Sequence, residues 1–205
     1  MNMTKLLLVT LVCGFSSVAF GDAVTYDVTV NTSSIAGTNG SLDFQFNPGP
    51  LTSQTASVQI LGFTGGTLGS STTFGDVTGT LPGTVTIDNG SFFNDYFTGF
   101  TFGNMLSFAV SLSGPALTSP NGTSTSASSF AFSMFSDPGG TVPVLTTDPG
   151  GIAFSVGVNL DGSTTPATPS PETSTPEPGA LSLLGIGLAA ELIRRKRVRE
   201  EKTSR

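Results

Sequence analysis

The residues of this chain that could do acid–base or ligand chemistry are almost all carboxylates. The sequence holds nine Asp and no His, and its single cysteine is Cys13. From Leu6 to Ile193 it also contains no Lys or Arg. A Ser-His-Asp arrangement needs a histidine, and thiol or Schiff-base catalysis needs a cysteine or a lysine, so these mechanisms are excluded for the central region. A carboxylate pair and an oxygen-ligated metal are the chemistries that remain.

Most of these Asp residues stand next to Gly, Pro or Asn, which is a composition typical of turns. An Asp in a turn usually accepts hydrogen bonds from its own backbone. We therefore expect a protein that is not an enzyme, with no catalytic, cofactor-binding or metal residue. Calcium is the alternative cofactor, and its candidate ligands lie in Asn159–Gly162 and in the pairs Asp88-Asn89 and Asn94-Asp95.

An aromatic-rich stretch surrounds Asn94 and Asp95. Its members are Phe92, Phe93, Tyr96, Phe97, Phe100 and Phe102. Large aromatic side chains usually fill a core, so we expect them to line the interior. The alternative is an exposed cluster on which sugar rings stack, with Tyr96 as a stacking residue and an extracellular polysaccharide as the partner.

Charge is segregated to the two ends of the chain. Lys5 is the one basic residue near the start, and the others are Arg194, Arg195, Lys196, Arg197, Arg199, Lys202 and Arg205. The central region is therefore wholly acidic and should repel phosphate backbones, because nucleic-acid affinity comes mainly from Lys and Arg. Nucleic acid is excluded as a partner.

Between Ala23 and Gly162, apolar residues alternate with polar ones in seven runs. The runs are Tyr26–Val30, Leu42–Phe46, Val58–Ile60, Val85–Ile87, Leu106–Leu112, Phe130–Met134 and Ile152–Leu160. A period of two is the strand period. Turn signals separate the runs, among them Asn39-Gly40 and the repeated Asp-Pro-Gly-Gly at 137 and 148. The pattern predicts an all-β domain at 22–162, an antiparallel β-sandwich of eight or so strands, with a jelly roll as one arrangement.

Residues 1–21 have the order of a secretory signal peptide. Lys5 precedes the apolar stretch Leu6–Val12, and Ala19-Phe20-Gly21 supplies small residues before a cleavage site between Gly21 and Asp22. We therefore expect export through the secretion translocon.

The other end has three consecutive parts. Residues 163–175 are rich in Pro, Ser and Thr and predict a disordered stalk. Pro176, Glu177 and Pro178 follow, and then the apolar segment 180–193, which predicts a single short transmembrane helix. The basic tail 194–205 begins with Arg194, Arg195, Lys196 and Arg197, which should hold it in the cytoplasm while the domain faces outward from the inner membrane.

This order of tripeptide, apolar helix and Arg-rich tail resembles the PEP-CTERM sorting signal, at 176–205. The resemblance implies processing by an exosortase near Pro176, Glu177 and Pro178. It also implies delivery to the cell surface or extracellular matrix of a Gram-negative bacterium. There we expect a non-catalytic structural role, with a surface adhesin-like module that binds polysaccharide or calcium as the alternative.

The central region also resembles a family, over nearly the whole of its length. Leu42–Gly49 and Gly75–Gly83 are similar to blocks found in a group of uncharacterised PEP-CTERM proteins. That resemblance implies a class of domain and no particular chemistry.

Overall fold

The structure is a computed structural model that describes residues 23–169, and it is built from antiparallel strands. The strands are β1 (Val24–Asn31), β2 (Asn39–Asn47), β3 (Ser57–Thr64), β4 (Thr67–Phe74), β5 (Val77–Gly79), β6 (Val85–Asp88), β7 (Asp95–Thr101), β8 (Met105–Ser113), β9 (Ser128–Phe135), β10 (Ile152–Val158) and β11 (Thr164–Ala167). One helical turn, α1 (Pro115–Thr118), and one 3-10 turn (Ser33–Ile35) complete the described elements. The all-β prediction is confirmed.

The strands form two sheets that pack as a sandwich. One sheet has the order β1-β8-β3-β6-β5, and the other has the order β11-β10-β9-β2-β7-β4. The pairs β1–β8, β2–β7 and β3–β6 are nested one inside the next, as in a jelly roll. Strands β9, β10 and β11 extend the second sheet beyond β2.

Phenylalanine fills the space between the sheets. The ring of Phe44 on β2 lies 5.3 Å from that of Phe108 on β8, in the opposite sheet, and 4.9 Å from that of Phe132 on β9. Phe108 and Phe132 are also 4.9 Å apart and meet edge to face. Such pairs contribute about 0.5–1.5 kcal/mol beyond their buried area. Most of the alternating apolar residues of the predicted runs are buried between the sheets, as the period of two requires.

All seven predicted runs are strands, but four further strands were not predicted. Strands β4 and β5 are exposed along most of their length and lack an apolar alternation. Asn39-Gly40 is not a turn, because both residues belong to β2. A Cβ on Gly40 would lie 2.1 Å from the carbonyl oxygen of Phe135, so this glycine allows two backbones to approach closely. Leu160 lies beyond the end of β10 and is 48% exposed.

The domain extends past its predicted end at 162. Thr164–Ala167 forms β11 and pairs with β10, so the Pro/Thr-rich segment predicted from 163 supplies an edge strand before any stalk begins. Pro166 is tolerated there because an edge strand needs hydrogen bonds on one side only. The rest of the predicted linker, from residue 170, lies outside the described residues.

Candidate functional site on the outer face of the six-stranded sheet

A row of polar side chains lies on the outer face of β2. Asp43, Gln45 and Asn47 alternate with the buried Leu42, Phe44 and Phe46, which point into the sandwich. The Gln45 Nε2 donates to Asp43 Oδ2 at 2.7 Å, and Asn47 Nδ2 donates to Gln45 Oε1 at 3.1 Å. Each side chain thus orients the next, and we call this row the β2 ladder.

Asp95, at the start of β7, brings a second carboxyl group to this ladder. In the register of β2 and β7, Gln45 pairs with Asp95 and Asp43 pairs with Phe97, so Asp43 and Asp95 are diagonal neighbours on one face. This register brings their carboxyl groups close together, and the Oδ1 atom of each is buried without a hydrogen-bond partner among the described residues. Burial, first of all, and then the interaction with the Asp95 carboxyl group and the repulsion between the two charges together raise the pKa of Asp43 to about 8, although the hydrogen bond from Gln45 acts in the opposite direction.

Aromatic rings border the two carboxyl groups. Phe97 pairs with Asp43, and on the neighbouring β4 Phe74 pairs with Asp95. Phe74 is 63% exposed, and its ring centre lies 5.7 Å from that of Phe93, which is 38% exposed. A Cβ at Gly75 would lie 2.2 Å from the carbonyl oxygen of Phe93, so the close approach of these two segments requires this glycine, whose φ is +75°.

The predicted aromatic stretch divides between the core and the surface. Tyr96, Phe100 and Phe102 are buried, as the core prediction requires, whereas Phe92 is 80% exposed. Tyr96 is not a stacking residue, because its hydroxyl oxygen accepts a hydrogen bond from Leu81 N at 3.1 Å inside the fold. The exposed rings that the structure offers instead are Phe74, Phe92 and Phe93.

The asparagines of the calcium prediction act as structural links. Asn89 Oδ1 accepts from Ala56 N at 2.9 Å, and its Nδ2 donates to Gln54 O and to Ser128 Oγ, each at 2.9 Å. Asn94, which is fully buried, uses its amide in the same way. Within residues 23–169 no group of three or more His, Cys, Asp or Glu side chains could hold a metal ion.

The third calcium candidate, Asp161, stabilises its own turn. Its Oδ1 accepts from Ser163 N at 2.9 Å and from Ser163 Oγ at 2.6 Å. The bond from the Ser163 hydroxyl, more than that from its backbone, lowers the pKa of Asp161. This is the turn chemistry that the sequence predicts for most Asp residues of the chain.

The carboxyl pair was missed as a site by sequence reasoning. Asp43 is visible in the sequence as a polar position between Leu42 and Phe44, but Asp95 looks like a turn residue beside Asn94. Their proximity depends on the β2–β7 register, which joins residues about fifty positions apart. The available signal was the absence of any basic residue that could neutralise a buried Asp.

The predicted sorting and cleavage residues all lie outside the described residues. These are Gly21 and Asp22, the tripeptide Pro176, Glu177 and Pro178, and the basic cluster Arg194, Arg195, Lys196 and Arg197. The predicted transmembrane segment 180–193 also lies outside them. In the part of the chain from 23 to 169, no helix has the length and apolar character needed to cross a bilayer.

The fold and its charges define a class, namely an acidic β-sandwich with no basic side chain. Comparison with known families assigns the C-terminal region more closely, because residues 174–197 match the PEP-CTERM protein-sorting motif. The chain therefore carries a PEP-CTERM protein-sorting motif, and this motif implies export and sorting by an exosortase. No curated protein and no solved structure matches it.

Proposed function

We propose that this protein is delivered to the cell surface or extracellular matrix of a Gram-negative bacterium, where its β-sandwich has a non-catalytic structural role. The observation that carries the proposal is the sorting-motif match at residues 174–197, which includes Pro176, Glu177 and Pro178. The motif is followed by the apolar segment 180–193 and the basic cluster from Arg194. In this proposal the basic cluster stays in the cytoplasm until the exosortase removes it.

The composition of the sandwich supports a structural role. Its described residues contain no Cys, His, Lys or Arg, and most of the aromatic side chains are packed between the sheets. A domain that carries only negative charge repels its own copies and remains soluble outside the cell. With no cysteine, its stability comes from its core and hydrogen bonds and does not depend on disulfide formation after export.

Mass spectrometry of the protein purified from its native host tests the sorting step. We expect a chain that begins at Asp22 and ends at or near Pro178, without the basic tail. Replacing Glu177 by Ala should leave the uncleaved form in the membrane fraction, whereas Pro171→Ala, a few residues upstream, should be processed normally. An intact Arg205 in the surface-located wild-type protein would overturn the proposal.

A second candidate function, polysaccharide binding, is favoured by the exposed rings next to the β2 ladder. The rings of Phe74 and Phe93 lie side by side. Phe74 pairs with Asp95 and Asp95 pairs with Gln45 across the sheet, so these side chains share its outer face with Asn47. Sugars are commonly bound by an aromatic ring under the pyranose face together with planar polar groups that hydrogen-bond its hydroxyls. The arrangement fits a hydroxyl-rich chain lying across the sheet.

A pull-down of the mature protein with the host's extracellular polysaccharide tests this candidate. We expect Phe74→Ala to reduce the bound fraction severalfold. Leu51→Ala is the matched control, because Leu51 is 65% exposed, like Phe74, but lies outside the aromatic patch. Binding that is equally retained by both variants would exclude stacking on Phe74, and equal loss in both would indicate non-specific adhesion.

A further inference from the structure

The carboxyl groups of Asp43 and Asp95 meet in a domain that offers them no positive charge. No Lys, Arg or His occurs anywhere from Leu6 to Ile193, so no ion pair can neutralise either group within the sandwich. A buried carboxylate that lacks both an opposite charge and hydrogen-bond donors is strongly disfavoured. Something from outside the chain must therefore compensate at least one of the two charges.

The hydrogen bonds around the pair show where this compensation is missing. Asp43 Oδ2 is held by the amide of Gln45 at 2.7 Å. Asp43 Oδ1 and Asp95 Oδ1 are both buried, and neither has a hydrogen-bond partner among the described residues. Two carboxylate oxygens cannot donate to each other, but a single proton between them converts their repulsion into a strong O–H···O bond.

We propose that Asp43 and Asp95 share one proton in the folded domain and so form a pH-sensitive link between β2 and β7. The proton is taken from solvent when the register of the two strands brings the carboxyl groups together, and it returns to solvent when they separate. The pair then carries one negative charge in place of two. This device is independent of the route by which the protein is exported.

The neighbouring strands bring few other titratable groups to the pair, so its charge depends mainly on the shared proton. Strands β4 and β9, which lie on either side of β7 and β2, contain no titratable residue. On β7 the other titratable group is Tyr96, which points to the opposite face and is bonded to Leu81. In the segments that follow β4 and β9, the carboxyl groups are those of Asp76, Asp137 and Asp148.

The direction of the pH effect follows from the raised pKa of Asp43. In the unfolded chain an Asp titrates near its ordinary value of 3.8, whereas in the folded domain the pKa is about 8. Between these two pH values the folded state therefore holds a proton that the unfolded state has lost. The resulting contribution to the free energy of unfolding is fully present below about pH 4. This contribution decreases as the pH rises and is lost above the folded pKa, so the domain should become less stable toward alkaline pH.

Thermal melting of the mature protein at about pH 5 and about pH 9 tests the proposal. We expect the wild-type melting temperature to fall by roughly 5 °C or more over this range. Asp43→Asn mimics a permanently protonated group, so it should remove most of the decrease and melt higher than the wild type at the alkaline end. Asp27→Asn, at an exposed position on β1, is the control for the loss of one negative charge and should retain the wild-type decrease.

Two further measurements keep the test decisive if Asp43→Asn folds poorly. Asp95→Asn should also flatten the pH dependence, and the infrared band of a protonated carboxyl group should be present in the folded wild type at about pH 6 and absent at about pH 10. If the melting temperature of both Asn variants still fell toward alkaline pH, the proposal of a shared proton would be overturned. Stabilisation by calcium at about pH 6 that both variants lose would also overturn it, because it would assign a metal ion to the pair.

Discussion

The turn at Asp137 and the start of β7 at Asn94-Asp95 use the same kinds of residue in opposite ways. The Asp137 carboxylate accepts four hydrogen bonds, from Gly139 N at 3.1 Å, Thr141 N at 2.9 Å, Thr141 Oγ1 at 3.0 Å and Val142 N at 2.7 Å. Asp95 instead has a buried oxygen without a donor and a second carboxyl group beside it. The bond from Val142 N is the largest cause that lowers the pKa of Asp137, whereas burial raises that of Asp43.

The difference lies in the sequence distance of the partners. All the donors to Asp137 come from within five residues, so the turn satisfies its own carboxylate. The amide of Asn94 bonds to Ser91 O, Asp76 N and Phe46 O, which are 3, 18 and 48 positions away. The pKa of Asp137 is therefore lowered by N–H groups of its own turn, whereas the pKa of Asp43 is raised because the tertiary fold buries it beside Asp95.

The largest effect that would sharpen this comparison is expected for Asn94→Ala. The substitution leaves the Phe46 carbonyl and the Asp76 N–H without their partner inside the fold, and each such loss costs about 1–3 kcal/mol. We expect the free energy of unfolding in urea to fall by about 3 kcal/mol. The position of β7, and with it the Asp43–Asp95 contact, depends on this side chain.

Asn121→Ala is the matched control for that experiment. Asn121 also accepts hydrogen bonds with its side chain, but they come from Thr123 in its own exposed turn. Its replacement should cost less than about 1 kcal/mol, because water can replace the lost bonds. Equal losses for the two variants would contradict the distinction between local and long-range partners.

The same distinction explains which features could be predicted from the sequence. The alternation of apolar and polar residues identifies β2 through Leu42, Phe44 and Phe46, because a strand with one buried face has an apolar residue at every second position. It does not identify β4, whose Ser and Thr residues are exposed and which is held by its hydrogen bonds to β7. The Asp-Pro-Gly-Gly turn at 137 could be predicted because all the hydrogen-bond donors to Asp137 are close to it in sequence. The carboxyl pair could not be predicted, because it forms only through the β2–β7 register.

A smaller effect, confined to acid pH, is expected for Asp137→Asn. An amide offers one acceptor oxygen in place of two and turns an NH2 group toward N–H donors, so the melting temperature at neutral pH should fall by a few degrees. Because the pKa of Asp137 is lowered in the folded state, its contribution is present above the ordinary value of 3.8 and is lost as the pH falls through the folded pKa. The wild type should therefore lose stability below about pH 4, and the variant should lose less there.

Melting curves from about pH 2 to about pH 5, with the exposed Asp27→Asn as control, measure this difference. If the wild type and the variant lost the same stability at acid pH, the N–H groups of the turn would not be what lowers the pKa of Asp137, and the contrast with the Asp43–Asp95 pair would have to rest on burial alone.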